Sequence, residues 1–302
     1  MSGNDSASYL WEGITSAADL QSWNIESFRQ PGKLSSRLAS WEPKELTLRW
    51  YRSFLNLAFS SSSEWVRDQL SEFDGQLNLG APIENKVDHN GKSFRVNLDY
   101  LLTFEELEFV LQSLDYDVRN VCEVGAGFGR FAHLSVHYLP TIETYTIVDL
   151  PEILELSKSY LAVVLPSELF AKLVFVSPDR MTSEMGRDLS IQVDGLQEMT
   201  AQTVDRYMEL FSSSKTFYSK NVVAKYLPSH GGIDTSDSEF PHDLGRSRRV
   251  LDIWNLSELE GEYAKHLASY TPINHLVVQS RPCRLFPHYL NFVSRRNQNL
   301  PY

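Results

Sequence analysis

Val121-Cys-Glu-Val-Gly-Ala-Gly-Phe-Gly-Arg130 decides how the rest of the chain is read. An apolar run carrying one acid, Glu123, leads into glycines at alternate positions, Gly125, Gly127 and Gly129, and then into helix-forming residues. This is the pattern of a strand that enters a tight turn and leaves as a helix. Glycine there lets backbone N–H groups approach a ligand with no side chain between them. A second apolar run, Tyr145-Thr-Ile-Val-Asp149, also ends in an acid. Two neighbouring strand ends of this kind point to a nucleotide-like ligand lying across them.

The same alternation continues outward. Strands are expected over Asn120–Val124, Tyr145–Val148, Leu173–Val176, Leu189–Val193 and Thr216–Val222. Helices are expected between them, over Arg130–Tyr138, Pro151–Val164 and Ala201–Phe211. Apolar strands alternating with helices of this length make an α/β parallel sheet with helices on both faces. Beyond it come a Pro- and Gly-containing loop over 226–249, an extended Val250–Trp254, a helix near Leu256–Leu267, a strand His275–Gln279 and a last stretch Tyr289–Ser294. Upstream, Leu98–Leu114 carries a wide apolar face and reads as a helix, and Thr103 with Glu106, spaced like a capping box, offers Thr103 as an alternative start. Residues 75–97 read as a connection holding a short hairpin. Two helices are expected before that, one over 43–59 with Leu46, Trp50, Phe54, Leu55 and Leu57 toward the core, the next with Trp65, Leu70 and Phe73. The division expected is a mainly helical N-terminal cap over 1–95 and a ligand-binding α/β domain over 96–302.

Composition narrows the class. A chain of 302 residues with 42% apolar content buries a sizeable core. Its net charge of −11 argues against nucleic acid, which is bound through basic contacts to phosphate. No apolar run reaches the roughly eighteen residues that span a bilayer, and the N-terminus lacks a basic and apolar leader. Cys122 and Cys283 form no disulfide framework. A soluble, cytoplasmic protein follows from these readings; a homodimer is a separate expectation.

The glycine turn discriminates between ligands. Dinucleotide sites want a small residue at the position Arg130 occupies, so that the helix packs below a pyrophosphate. Glu123 would face that pyrophosphate and repel it. No Gly-Lys-Ser/Thr follows, which excludes a phosphate-binding P-loop. A carboxylate before the turn suits a ligand bearing positive charge and no phosphate, and S-adenosylmethionine is such a ligand. A bare strand–helix turn is the structural alternative, with Asp149 as a helix cap ahead of Pro151.

Glu123-x-Gly125-x-Gly127-x-Gly129 resembles the first motif of the Rossmann-like class I methyltransferases. Val148-Asp-Leu-Pro-Glu152, Val176-Ser-Pro-Asp-Arg-Met181, Gly195-Leu-Gln-Glu-Met199 and Phe217-Tyr-Ser-Lys-Asn-Val-Val223 resemble segments of small-molecule O-methyltransferases, closest to bacterial sugar O-methyltransferases. The resemblance covers about residues 120–225. It implies a class I methyltransferase sheet with helices on both faces, an N-terminal helical lid, and S-adenosylmethionine held by Glu123, Gly125, Ala126, Gly127, Asp149, Leu150, Asp179 and Asp194. It departs from the plant-type enzymes where they place a histidine base: Gln197 stands there, followed by Glu198.

A hydroxyl acceptor needs a base within hydrogen-bond reach or a metal to acidify it. Glu198 and His230 are the candidate bases, with His242 behind them. His133 and His137 have metal-ligand spacing but no third ligand. Asp194, Glu198 and Asp205 could offer oxygens to Mg²⁺. The function expected is O-methylation of a small polar acceptor such as a sugar. The competing readings are N- or C-methylation of another metabolite, an NAD-linked oxidoreductase, and a catalytically silent binding module.

Overall fold

The structure is a computed structural model and describes residues 7–16, 20, 22–35, 37–38, 47–73, 75–226, 244–247, 249–252 and 255–297. Its centre is a seven-stranded sheet. Strands β3 (Asn120–Val124), β4 (Thr144–Val148), β5 (Leu173–Val176), β6 (Leu189–Val193) and β7 (Thr216–Val222) run parallel. β8 (Lys225–Tyr226) and β9 (Val250–Leu251) form a separate short parallel pair, β10 (His275–Pro282) and β11 (Tyr289–Arg296) form an antiparallel pair, and β11 docks antiparallel on β7. The order across the sheet is β10-β11-β7-β6-β3-β4-β5. The chain leaves β3 toward one edge and returns to the other at β6, so β3 and β6 flank the point where strand order reverses. In open α/β sheets that is where ligands sit.

The helices that cross over are α5 (Arg130–Tyr138), α6 (Pro151–Val164), followed by the one-turn α7 (Ser167–Phe170), and α8 (Ala201–Phe211), with α9 (Leu256–Tyr270) before the antiparallel pair. Pro151 occupies the first turn of α6, where a missing N–H costs nothing. Thr200 caps α8 by accepting from the Thr203 N–H.

Ahead of the sheet lie α1 (Tyr9–Thr15), α2 (Leu48–Ser60), α3 (Glu64–Glu72), a hairpin of β1 (Glu84–His89) and β2 (Lys92–Asn97), and α4 (Leu98–Leu111). The hairpin turns at Asn90-Gly91, both at positive φ, the backbone that a two-residue turn between twisted strands requires. These elements share one hydrophobic core with the sheet: Phe28, Phe59 and Phe104 belong to the same buried cluster as Tyr145, Ile147 and Val293.

Two local expectations are corrected. α4 starts at Leu98, capped by Asn97, whose side chain accepts from the Tyr100 N–H at 3.1 Å. Thr103 lies within the helix and donates to the Asp99 carbonyl, so no capping box forms with Glu106. In α2 the buried side is Tyr51, Leu55, Ala58 and Phe59, while Trp50 and Leu57 are 59% and 68% exposed. The sequence of α2 is apolar on two sides, and the side that meets the neighbouring hairpin is the one buried. Residues 43–46 of the expected helix, Leu46 among them, lie outside the described residues.

Candidate functional site

The glycine turn after β3 uses its three glycines for different reasons. Gly125, Gly127 and Gly129 all have positive φ, at 75°, 56° and 92°. A Cβ on Gly129 would lie 2.7 Å from Leu161 Cδ1, so this glycine lets α5 and α6 pack closely. A Cβ on Gly125 or Gly127 would meet nothing nearer than 3.9 Å. Those two positions are open because they face a cavity.

The cavity has a volume of about 240 Å³ and lies at the carboxyl ends of β3, β4, β6 and β7. Glu123, Gly125, Ala126, Gly127, Asp149, Leu150, Asp194 and Glu198 all stand on its wall. Asp179 does not; it is exposed, and its neighbour Pro178 lines the cavity instead. His230 and His242 lie outside the described residues. Gln197 is turned away: its amide donates to the Val222 carbonyl at 3.1 Å beneath the strand ends.

Asp149 braces the turn. Its Oδ2 accepts from the Gly127 N–H at 3.1 Å and its Oδ1 from the Leu150 N–H at 2.8 Å. Burial raises its carboxyl to about 7 against the pull of those two amides. Glu123 is buried, accepts from the Tyr145 hydroxyl at 2.7 Å, and is raised by burial to about 7. Asp194 sits at the end of β6 with φ 59°, a left-handed backbone that turns its carboxyl toward the cavity. Its Oδ1 has no hydrogen-bond partner among the described residues, and burial raises it despite Lys220 nearby. Glu198 Oε2 accepts from Trp11 Nε1 at 3.0 Å, and Oε1 pairs with Arg37. Burial raises Glu198 to about 7, with Arg37 opposing.

Beneath these groups lies a buried ion network. Glu106 takes Arg130 Nη1 at 2.8 Å on one oxygen and Lys220 Nζ at 2.9 Å on the other, and Lys220 reaches Asp194 Oδ2 at 3.4 Å. Burial alone would raise Glu106, but Arg130 and Lys220 outweigh it and hold the carboxyl below its usual value.

Several wall residues escaped the sequence reading: Trp11, Arg37, Leu38, Asp99, Lys220 and Tyr289. For Lys220 there was a signal, a lysine inside the expected strand Thr216–Val222, which the structure buries at every position. For Trp11 and Arg37, far away in the chain, there was none. Arg130 served only to break the dinucleotide spacing; in the structure it also closes the floor of the cavity.

Among the described residues no group of three or more His, Cys, Asp or Glu could hold a metal ion. The suggested Mg²⁺ set is dispersed, since Asp205 pairs with Arg246 at 2.6 Å on the surface. His133 is buried against the Tyr100 hydroxyl at 2.6 Å and held neutral, its value lowered to about 3 by burial. No helix among the described residues is long and apolar enough to cross a membrane.

No family model matches the chain, and no curated protein does. Among solved structures the chain is similar to the methyltransferase domain of bacterial CtHen1, at 16% identity over 66% of this chain and 100% of that one, with a TM-score of 0.46. It is similar to the mitomycin 7-O-methyltransferase MmcR at 14% identity, covering 83% of this chain and 69% of that one, with a TM-score of 0.42. A third is the N,N-8-amino-8-demethyl-D-riboflavin dimethyltransferase RosA from Streptomyces davawensis, at 14% identity over 66% and 56%, with a TM-score of 0.42. All three are methyltransferases. The chain has the expected α/β sheet with helices packed on it, and its own strand order and crossovers carry that assignment.

Proposed function

We propose that the protein is an S-adenosylmethionine-dependent O-methyltransferase acting on a hydroxyl of a small polar metabolite, with a sugar or sugar-bearing natural product as the acceptor class. One observation carries this reading. An open glycine turn, the braced Asp149 and the carboxyls of Asp194 and Glu198 converge on one cavity at the switch point of the sheet.

When bound, the cofactor supplies a methyl group on a sulfonium cation. Gly125, Ala126 and Gly127 would lie along its methionine part, and Asp149 would accept from the ribose hydroxyls. Each Asp149 oxygen keeps a further lone pair beyond its backbone bond. The charge of the wall favours this ligand over a dinucleotide: Glu123 and Asp194 oppose phosphate, and Arg130 is already neutralised by Glu106.

Glu198 takes the proton from the acceptor hydroxyl in this proposal. Its carboxyl near 7 is ionised in good part at neutral pH and is more basic than an ordinary glutamate. Trp11 and Arg37 orient it, and each oxygen has a second lone pair for the acceptor. A second reading gives the proton to Asp194, which the unpartnered Oδ1 favours.

Calorimetry with S-adenosylhomocysteine, S-adenosylmethionine and NAD tests the cofactor. A folded sample that binds neither adenosyl compound would end the proposal. With radiolabelled cofactor and a panel of hydroxylated metabolites, Glu198→Gln is expected to lower turnover by about 10²–10⁴-fold with little change in S-adenosylhomocysteine affinity. If Asp194→Asn shows that loss and Glu198→Gln does not, the second reading replaces the first.

Proton linkage gives an acceptor-independent check. The carboxyls of Glu123, Asp149 and Glu198, raised to about 7, hold protons in the folded empty protein that an unfolded chain has released. Their contribution to stability is therefore full below about 4 and is lost as the pH rises through about 7. Binding a cation against ionised carboxylates expels the remaining protons. At pH 7 the heat of S-adenosylmethionine binding should differ between phosphate and Tris buffers by the amount expected for proton release; equal heats would contradict the burial of these groups at the site.

A further inference from the structure

The wall opposite the sheet is built by the N-terminal segment. Ala7, Ser8, Trp11, Arg37 and Leu38 line the cavity, and every other lining residue lies between 99 and 289. The Leu38 carbonyl lies 3.9 Å from where a Cβ on Gly127 would stand, so this segment crosses the glycine turn itself. Its middle is anchored. Phe28 and Arg29 are buried, Arg29 pairs with Asp99 at 2.8 Å, and its guanidinium lies 4.9 Å from the centre of the Phe128 ring. Its two ends meet the cavity differently. α1 has seven residues, none of them buried, and a helix so short is not stable by itself. Trp11 and Arg37, twenty-six positions apart in sequence, both close on one carboxylate, Glu198.

We propose that two described parts of the N-terminal segment, residues 7–16 and 37–38, form a strap latched over the cavity by Glu198, and that ligand passes in and out when Trp11 and Arg37 release this carboxylate. The inference rests on the reading of the cavity as the cofactor site. The anchored Phe28–Arg29 region is the hinge, and α1 and the Arg37–Leu38 stretch are the parts that lift. Two contacts from separate ends of the segment meet on one acid, so opening breaks both, and removing either lowers the barrier to opening by the worth of that contact. Ligand exchange is then limited by opening of the strap, as in other closures over reactive sites.

Stopped-flow binding of S-adenosylhomocysteine tests this. Trp11→Phe removes the indole donor, and Arg37→Met removes the charge while keeping the stem. Each is expected to raise the association and dissociation rates together by about tenfold, the worth of one charge-assisted hydrogen bond, with the dissociation constant changing far less. A contact residue without a gating role would raise dissociation alone, and that result, or unchanged rates in both variants, overturns the strap. A second arm needs no ligand. In the empty protein, Glu198→Gln should speed amide hydrogen exchange in residues 9–16 by about tenfold while β3 exchanges as slowly as in the parent. Unchanged exchange there overturns the strap whether or not the adenosyl compound binds. Failure of binding in the unmodified protein, with exchange responding as expected, would instead remove the cofactor assignment and leave the latch.

Discussion

Gly127→Val should abolish measurable binding of S-adenosylhomocysteine, a loss of at least about a hundredfold or roughly 2.7 kcal/mol. Gly127 has a φ of 56°, which a β-branched residue adopts only with strain. Its Cβ direction is open, with the Leu38 carbonyl at 3.9 Å as the nearest atom, so the valine methyls would occupy the cavity. The same backbone N–H donates to Asp149 Oδ2 at 3.1 Å, so a shift that relieved the strain would also unseat the acid braced against the turn. The fold should survive, with a stability cost of about 1–3 kcal/mol from the strained backbone. Calorimetry beside a thermal melt separates the two effects. A melting protein with unaltered affinity would show that the turn does not meet the ligand.

Glu106→Gln is expected to have the largest effect on stability. The carboxylate is 3% exposed and is the shared partner of Arg130 and Lys220, the latter equally buried. An amide can accept from one of them on its oxygen but turns a donor toward the other. Breaking a buried ion pair from one side costs about 3–5 kcal/mol, because the remaining charge is left uncompensated. Denaturant unfolding should show that loss at an unchanged slope. A cost below about 1 kcal/mol would mean that water reaches Lys220 and Arg130 in the folded protein. The pH dependence is opposite in sign to that of the carboxyls on the wall. Glu106 is held below its usual value of 4.5, so its contribution is present above that value and is lost as the pH falls further. Lys220 also positions Asp194, so the same variant is expected to disturb the acid at the end of β6.

Much of this site was legible in the chain. The parallel strands and their crossover helices follow from apolar runs of four to seven residues alternating with helical periods, and these signals are local. The turn residues were equally readable, because left-handed backbone at Gly125, Gly127 and Gly129 demands glycine within a few positions. α2 was less so. Its two apolar sides are equivalent by periodicity, and which of Trp50 or Tyr51 is buried depends on the hairpin β1–β2, almost forty residues away. The pair Thr103 and Glu106 had the spacing of a cap, yet Glu106 is recruited by Arg130 and Lys220 from two other elements.

By itself the sequence determined the sheet, the turn and the chemistry of its acids. Glu123 stands one residue before the end of β3 and Asp149 directly after β4, and Arg130 breaks the spacing that a pyrophosphate site needs, whatever the rest of the chain does. Only the tertiary structure decided what those acids experience. Burial brings Glu123, Asp149 and Glu198 near 7, and it does so because distant segments remove water from them. Trp11 and Arg37 reach Glu198 across more than 160 positions, a separation at which no periodicity or spacing carries information. Strand and turn are written in neighbouring residues; the dielectric and the partners of a buried charge are properties of the packed whole.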